Sequence, residues 1–299
     1  MEGMGDLLRR MPGSRENVPL SGYTSFGTGG PARYMAAPGS LQEVKEVFLA
    51  CRQYGQPYLI LGRGTNLLVS DRGFQGVVIL TCRLNSVFVR ENRILCECGS
   101  PITSLMKTAV SHCLGGIEFL AGIPGSAGGA LVSNAGLKDH WISRAVREIY
   151  VLYPESLEVK NIKGDEAAFG YRKSGLADYF VYRTVLNLNP ADPGEMRRKM
   201  RDNMRRRISS QPIGSMSAGS VFKNPPGAFA GQLIEKAGLK GYSLGGARVS
   251  PKHANFIVNT GGATSRDIYL LMSKIREKIR KDYNITLEPE IKLAGDFGE

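Results

Sequence analysis

The chain of 299 residues is poor in the groups that build metal and disulfide centres. It has three histidines and five cysteines (Cys51, Cys82, Cys96, Cys98 and Cys113), an odd number with no CxxC pair. A disulfide scaffold and a Cys/His zinc site are both poor readings, and no metal is expected. No apolar run approaches the roughly 18 residues that a membrane span needs. Met1 to Arg10 carries charge early and lacks a continuous apolar core, so it does not read as a signal peptide. There is no internal repeat, and the glycines follow no G-x-y period, which excludes collagen. These absences point to a soluble, globular, cytoplasmic protein.

What is present is a core's worth of apolar residues, 42% of the chain, and a length of about two domains. Glycine is in excess, 37 residues or about 12% against a usual level of about 7%. It clusters between apolar runs, which points to tight loops around ligands. Basic residues outnumber acids by 39 to 27, a net +12. Half of that surplus lies in Met196–Arg207, MRRKMRDNMRRR, with seven basic residues and one acid. A nucleic-acid patch is the tempting reading. Met196, Met200 and Met204 recur every four residues, however, so a solvated helix with one inward stripe is the expectation. No aromatics are interleaved for base stacking. The rest of the surplus suits small anionic ligands.

Along the chain, Ser40-Leu41-Gln42-Glu43 is a capping box opening a helix that Gly55 stops. Tyr58–Leu61 reads as a buried strand, Gln75–Leu80 as another, and Ser86–Cys98 as a hairpin. Ser100-Pro101 opens a helix ending near Gly115. Glu148–Tyr153, Leu157–Asn161 and Tyr179–Leu188 read as β. Asn189 to Gly194 is a composition break and the expected domain boundary. Beyond it come the basic helix, a helix near Phe229–Ala237, a long helix from Thr264 with Asp267 in the capping-box place, and a strand from Leu287 to Ala294. Ile268, Leu271, Met272, Ile275 and Ile279 give the long helix one apolar stripe. The mixture argues an α+β fold.

Two glycine loops stand out. Strand Tyr58–Leu61 feeds Gly62-Arg63-Gly64-Thr65-Asn66-Leu67, where main-chain N–H groups can approach an anion, or which can be a plain turn. It is no convincing Rossmann fingerprint: Leu67 stands where the third glycine belongs, and no acid follows about 20 residues on. The second loop, Gly122-Ile123-Pro124-Gly125-Ser126-Ala127-Gly128, continues to Asn134 and is apolar enough to be buried. It suggests a flat or phosphate-bearing ligand packed against the backbone. Together the loops would hold a large dinucleotide.

These loops, with Tyr23-Thr24-Ser25-Phe26-Gly27-Thr28-Gly29-Gly30-Pro31-Ala32, Ser70-Asp71-Arg72-Gly73, Tyr171-Arg172-Lys173-Ser174, Ala218-Gly219-Ser220-Val221-Phe222-Lys223-Asn224-Pro225 and Leu287-Glu288-Pro289-Glu290-Ile291, resemble the UDP-N-acetylenolpyruvoylglucosamine reductases. The resemblance runs in order from about Tyr23 to Leu293. It implies a two-lobed FAD-binding domain of the vanillyl-alcohol-oxidase type at 21–190 (lobes about 21–82 and 83–190), after an extension at 1–20. A smaller α+β substrate domain would follow at 191–299, its last strand returning to the active site. It implies non-covalent FAD, held by the two loops through Gly62–Leu67, Gly122–Ser126, Gly128 and Asn134. NADPH would be the hydride donor and UDP-N-acetylglucosamine enolpyruvate the substrate. The family serves peptidoglycan synthesis, and so cell-wall biogenesis, cell shape and division. A monomer is expected, with no nucleic-acid or membrane partner.

In that family's reaction a hydride added to the enolpyruvyl β-carbon leaves negative charge on the α-carbon, spread into its carboxylate. Ser220 matches the proton donor, Arg172 the active-site arginine, and Glu290 the essential acid, with Glu288 its competitor two residues away. Lys223 and Asn224 would line the UDP-sugar pocket. The family pattern places a basic residue two positions before the proline that is here Pro212, and this chain has Ser210. Lys252 and His253 are candidates to replace it, although His253 could equally be structural. Only about two dozen residues, a strand among them, separate Arg172 from the basic helix. That leaves no room for the tyrosine-bearing loop of one subclass, so the chain reads as the shorter subclass. Two rivals remain: a related FAD-dependent sugar or alcohol oxidase, in which His112 or Cys113 could tether the flavin, and a colourless basic nucleic-acid-binding protein.

Overall fold

The computed structural model describes residues 4–9, 12–137 and 139–298; the start of the stretch read against a signal peptide lies outside them. The described residues form seven α-helices: α1 (Met4–Arg9), α2 (Leu41–Gln53), α3 (Ile102–Ser111), α4 (Ala127–Val132), α5 (Pro193–Ser210), α6 (Ala230–Lys236) and α7 (Ser265–Tyr283). None among the described residues is long and apolar enough to cross a membrane.

Packing divides the chain into two compact units, and the division is interleaved where a sequential one was expected. The first holds residues 1–15, 35–63 and 77–206; the second holds 16–34, 64–76 and 207–299. The boundary expected at Asn189–Gly194 is therefore not a break in packing. Asn189–Pro190 pairs with Leu114–Gly115. Met196 on α5 is 1% exposed, and Asn203 Nδ2 donates to the Glu118 carbonyl at 3.2 Å. Both contacts keep α5 with the first unit up to Arg206. The expected N-terminal extension is likewise shared between the units, and its Met4, Leu8 and Leu20 are buried.

The first unit is built on a five-stranded antiparallel sheet. Its order is Val159–Lys163, Val146–Leu152, Phe180–Asn187, Arg93–Glu97 and Val87–Arg90. Alternation of apolar residues along Phe180–Asn187 and Val146–Leu152 buries Ile149, Val151, Phe180 and Leu186. Beside it, Tyr58–Leu61 and Val77–Leu80 pair in parallel, Leu61 opposite Leu80. Phe48 of α2 meets Tyr58 and Phe180 edge-on, ring centroids 4.9 and 5.8 Å apart. Ser40 caps α2, its hydroxyl accepting from the Glu43 N–H at 3.1 Å.

In the second unit α7 supplies the largest apolar face. Ile268, Leu271, Met272, Ile275 and Ile279 are all 0–3% exposed and pack with Phe26, Leu68, Val221, Phe222, Ile257 and Leu287. A three-stranded antiparallel sheet (Ser243–Leu244, Ala247–Val249, Ile257–Asn259) completes that core. The strand expected over Leu287–Ala294 is regular only at Lys292–Ala294, which runs parallel to Leu67–Val69.

The expected methionine stripe on α5 holds only in part. Met196 is buried, Met200 is half-buried and Met204 is 38% exposed. The four-residue spacing advances about 400° per step, so the stripe winds slowly off the face that Met196 buries.

Both ends of α7's first turn are satisfied. Thr264 and Asp267 form the expected capping box. Asp71, some 190 residues earlier in the chain, accepts from the N–H groups of Ser265 and Arg266, both at 2.9 Å. A carboxylate there meets the positive end of the helix dipole. Asp71→Ala should destabilise the protein by about 1 kcal/mol and lower the urea midpoint. An unchanged midpoint would show that Thr264 and Asp267 suffice.

Candidate active site

In the first unit, the two parallel strands end side by side and Gly62 leaves the sheet at that point. A Cβ on Gly62 would lie 2.7 Å from Ser126 Oγ, so the second glycine loop closes directly over the first. The Ser126 hydroxyl accepts from the Gly129 N–H at 3.4 Å and caps α4. Gly122 and Gly125 have φ of +79° and +144°, which explains glycine at both places. The N–H groups of Gly62, Arg63, Gly125 and Ser126 donate to no main-chain carbonyl among the described residues. The loop is less buried than its apolar sequence suggests: Ser126, Ala127 and Gly128 are buried, but Gly122, Ile123 and Gly125 are half-exposed and Pro124 is exposed.

Three of the residues expected at the cofactor serve the protein's own packing. A Cβ on Gly64, whose φ is +63°, would fall 1.9 Å from the Tyr23 carbonyl oxygen within the second unit. Its glycine is required by a neighbouring main chain rather than by a ligand. Gly128 donates to the Cys98 carbonyl at 2.8 Å, and a Cβ there would meet Cys98 Cβ at 2.8 Å. Asn134 is 4% exposed. Its Nδ2 donates to the Gly170 carbonyl at 3.0 Å, and its Oδ1 accepts from the Ser143 N–H at 3.3 Å.

Asn134 thereby anchors the turn that carries Arg172. Gly170 and Lys173 pair across it, and the Ser174 hydroxyl donates to the Val132 carbonyl at 2.9 Å. Arg172 itself has φ +53°, a left-handed conformation that costs energy for an arginine and persists only where the surroundings enforce it. Its guanidinium lies 5.9 Å from the Trp141 ring centroid, and Tyr171 meets the same indole edge-on at 5.8 Å. Sequence reading missed Trp141; the signal was Gly136, where a Cβ would lie 2.4 Å from the indole.

The second unit brings Ser220 and Glu290 onto adjoining segments. The Glu290 N–H donates to the Val221 carbonyl at 2.8 Å, and the Lys223 N–H to the Glu288 carbonyl at 2.9 Å. On the other edge the Val221 N–H donates to the Asn255 carbonyl at 2.8 Å. The Asn255 side chain grips Phe222, accepting from its N–H at 3.1 Å and donating to its carbonyl at 2.8 Å. Asn66 Nδ2 donates to the Glu290 carbonyl at 3.2 Å, so Asn66 positions the acid's backbone. None of the bonds that fix this segment uses the Ser220 hydroxyl, and Ser220 is half-buried.

The four expected substrate contacts are all engaged within the protein. Lys223 is ion-paired with Glu288, whose side chain is 68% exposed. Asn224 Oδ1 accepts from the Ala230 N–H at 3.0 Å, at the start of α6. Lys252 Nζ donates to the Ile208 carbonyl. His253 Nδ1 accepts from the Asn255 N–H at 3.2 Å and its ring packs edge-on against Phe256. The structural reading of His253 is the one its contacts support.

Comparison with known proteins places this arrangement. Residues 12–154 match a family described as an FAD binding domain. Residues 211–294 match the C-terminal domain of UDP-N-acetylenolpyruvoylglucosamine reductase. The reductase of that name from Caldanaerobacter subterraneus subsp. tengcongensis is 42% identical over 282 residues, 94% of this chain and 93% of that one. The chain belongs to the UDP-N-acetylenolpyruvoylglucosamine reductase family. The Clostridium botulinum (strain Okra) reductase is 39% identical over 280 residues, 93% of this chain and 91% of its own. The crystal structure of the Thermus caldophilus reductase superposes with a TM-score of 0.82 at 34% identity, covering 94% of this chain and all of that one. A solvent-stable cholesterol oxidase shares the fold over 61% of this chain and 38% of its own, at TM-score 0.50 and 16% identity. The expected α+β fold of the flavin-oxidase type therefore holds.

As a reductase of this family the chain would carry FAD, and the residues fit it. The N–H groups of Gly62, Arg63, Gly125 and Ser126, without main-chain partners among the described residues, remain available to a diphosphate's oxygens. The absent Cβ atoms leave the backbone open to close approach.

His253 gives a pH test of its structural role. Burial holds its imidazole below the ordinary value of 6.5. The unfolded chain therefore binds the proton more readily than the folded one. Stability is complete above that ordinary value and falls as pH drops below it. His253→Asn, which keeps an acceptor, should flatten the loss of stability measured between about pH 7 and about pH 5. An identical slope in the variant would assign that loss to other groups.

Proposed function

We propose that this protein reduces UDP-N-acetylglucosamine enolpyruvate to UDP-N-acetylmuramate, using bound FAD and NADPH: an FAD-dependent oxidoreductase of peptidoglycan precursor synthesis. The observation that carries the reading is the main-chain pairing that sets Ser220 beside Glu290 in a member of this reductase family. FAD, held non-covalently by Gly62-Arg63 and Gly122–Ser126, supplies the hydride when bound.

The work left to the chain is to manage the charge that hydride addition creates. Ser220 gives the proton to the α-carbon. A hydroxyl is a weak acid, but a carbanion beside a carboxylate is a strong enough base to take its proton. Arg172, on its fixed left-handed turn, holds the substrate carboxylate with paired hydrogen bonds as negative charge spreads into it. Glu290 is the acid of the site. Glu288 is spoken for by Lys223 and points to solvent, which favours Glu290 over its competitor. The UDP-sugar falls to the second unit, where Lys223 and Lys252 offer positive charge near the Ser220 segment once they exchange their present partners. The preference for NADPH, a monomeric state, a cytoplasmic location and a contribution to cell shape and division belong to the same proposal.

Ser220→Ala tests it by separating the two halves of the reaction. Loss of the flavin absorbance band on adding NADPH needs no proton at the substrate carbon and should run near the parent rate. Return of that band on adding UDP-N-acetylglucosamine enolpyruvate should slow by about 10²–10⁴-fold, the usual cost of removing a positioned general acid. Anaerobic stopped-flow follows each half. Equal slowing of both halves, or normal return, would take the proton from Ser220 and give it to Glu290 or a bound water.

A further inference from the structure

One polar group at the first glycine loop is used by neither the fold nor the residues assigned above. Thr81 follows the strand Phe74–Leu80, whose Leu80 stands opposite Leu61 in the parallel pair. Thr81 and Gly62 are thus the first residues past the carboxyl ends of two neighbouring parallel strands, the place where open α/β sheets receive ligands. Thr81 is 4% exposed, and its hydroxyl has no hydrogen-bond partner among the described residues. A Cβ on Gly62 would lie 4.0 Å from Thr81 Oγ1 and 2.7 Å from Ser126 Oγ, so both hydroxyls face the gap that glycine keeps open.

The main chain of Thr81 is fixed on every side. Its N–H donates to the Leu61 carbonyl at 3.1 Å, and its carbonyl accepts from the Leu84 N–H at 2.9 Å. Gly99 packs so closely that a Cβ there would fall 1.8 Å from the Thr81 carbonyl oxygen. A β-branched side chain on so rigid a backbone has little rotamer freedom, so the hydroxyl is pre-aimed. A buried hydroxyl without a partner destabilises a protein, and nothing in the packing of this unit repays it.

We infer that Thr81 donates its hydroxyl hydrogen to a diphosphate oxygen of the bound flavin dinucleotide, and is a binding residue that the glycine motifs do not include. The inference rests on the proposed function and adds a contact to it. It makes Thr81 costly to the apoprotein and useful only to the loaded one.

Apoprotein of the parent, Thr81→Val and Thr81→Ser should be titrated with FAD by fluorescence, and each melted without flavin. Valine keeps the shape and removes the hydroxyl. Its Kd for FAD should rise by about 10- to 100-fold, the usual worth of a hydrogen bond to a charged group, while serine should stay near the parent. Without flavin, the valine variant should melt at or above the parent, by up to roughly 2–4 °C. Parent-like FAD affinity in Thr81→Val would overturn the inference. A valine apoprotein melting well below the parent would overturn it too, since the hydroxyl would then serve the fold. A parent that binds no FAD at all would instead remove the functional reading, and this inference with it.

Discussion

Val221 is hydrogen-bonded through both of its main-chain groups, and the placing of Ser220 and Glu290 in the second unit depends on that. Its N–H goes to Asn255 and its carbonyl takes the N–H of Glu290. Three pieces of chain far apart in sequence are thereby joined edge to edge, and Ser220 and Glu290 acquire a fixed relation before any substrate arrives. The Asn255 amide repeats the lock one residue on, occupying both polar groups of Phe222. A side chain acting as a length of strand costs little and leaves no slack. Behind the lock, Val221 and Phe222 are 1% exposed in the core shared with α7. The serine and the acid are therefore carried by buried backbone, although they belong to loops.

The first unit uses a different device for its arginine. Arg172 sits in a left-handed turn that its own sequence does not favour. Asn134, itself left-handed at φ +43°, pins one side of that turn, and Ser174 the other. The indole of Trp141 lies against the guanidinium. A residue held in an unfavourable conformation by three separate contacts is ordered by the fold itself.

Local signals in the sequence were reliable where the physics is local. The caps at Ser40 and Thr264 appear where the capping boxes stand, and the five apolar residues of α7 are the five that are buried. The motifs carrying Ser220 and Glu290, read apart in the sequence, lie on adjoining segments of the fold. The site was less legible as contacts. A glycine reads the same whether it admits a ligand or a neighbouring backbone. Only the structure shows Gly64 and Gly128 pressed against main chain, and Gly62 facing the side-chain hydroxyls of Ser126 and Thr81. Asn134 looked like a cofactor ligand because it follows a glycine loop, yet both ends of its amide are spent within the protein. The boundary at Asn189–Gly194 failed for a related reason. Proline and glycine mark a turn, and a turn says nothing of which unit the next helix joins; Asn203 ties it to the first by donating to the Glu118 carbonyl.

The interleaving of the two units has a consequence for the birth of the protein. Leu67–Val69 can pair with Lys292–Ala294 only after the ribosome has made both. At roughly 5–20 residues per second, an early strand waits roughly 10–45 s for a partner 225 residues downstream. Phe26 and Leu68, destined for the second core, spend that interval without it. The first unit has its last segment at residue 206, so it can close while the nascent chain is still growing. The second unit becomes possible only once translation has passed residue 294. Deleting Lys292–Ala294 would leave Leu67–Val69 an open edge.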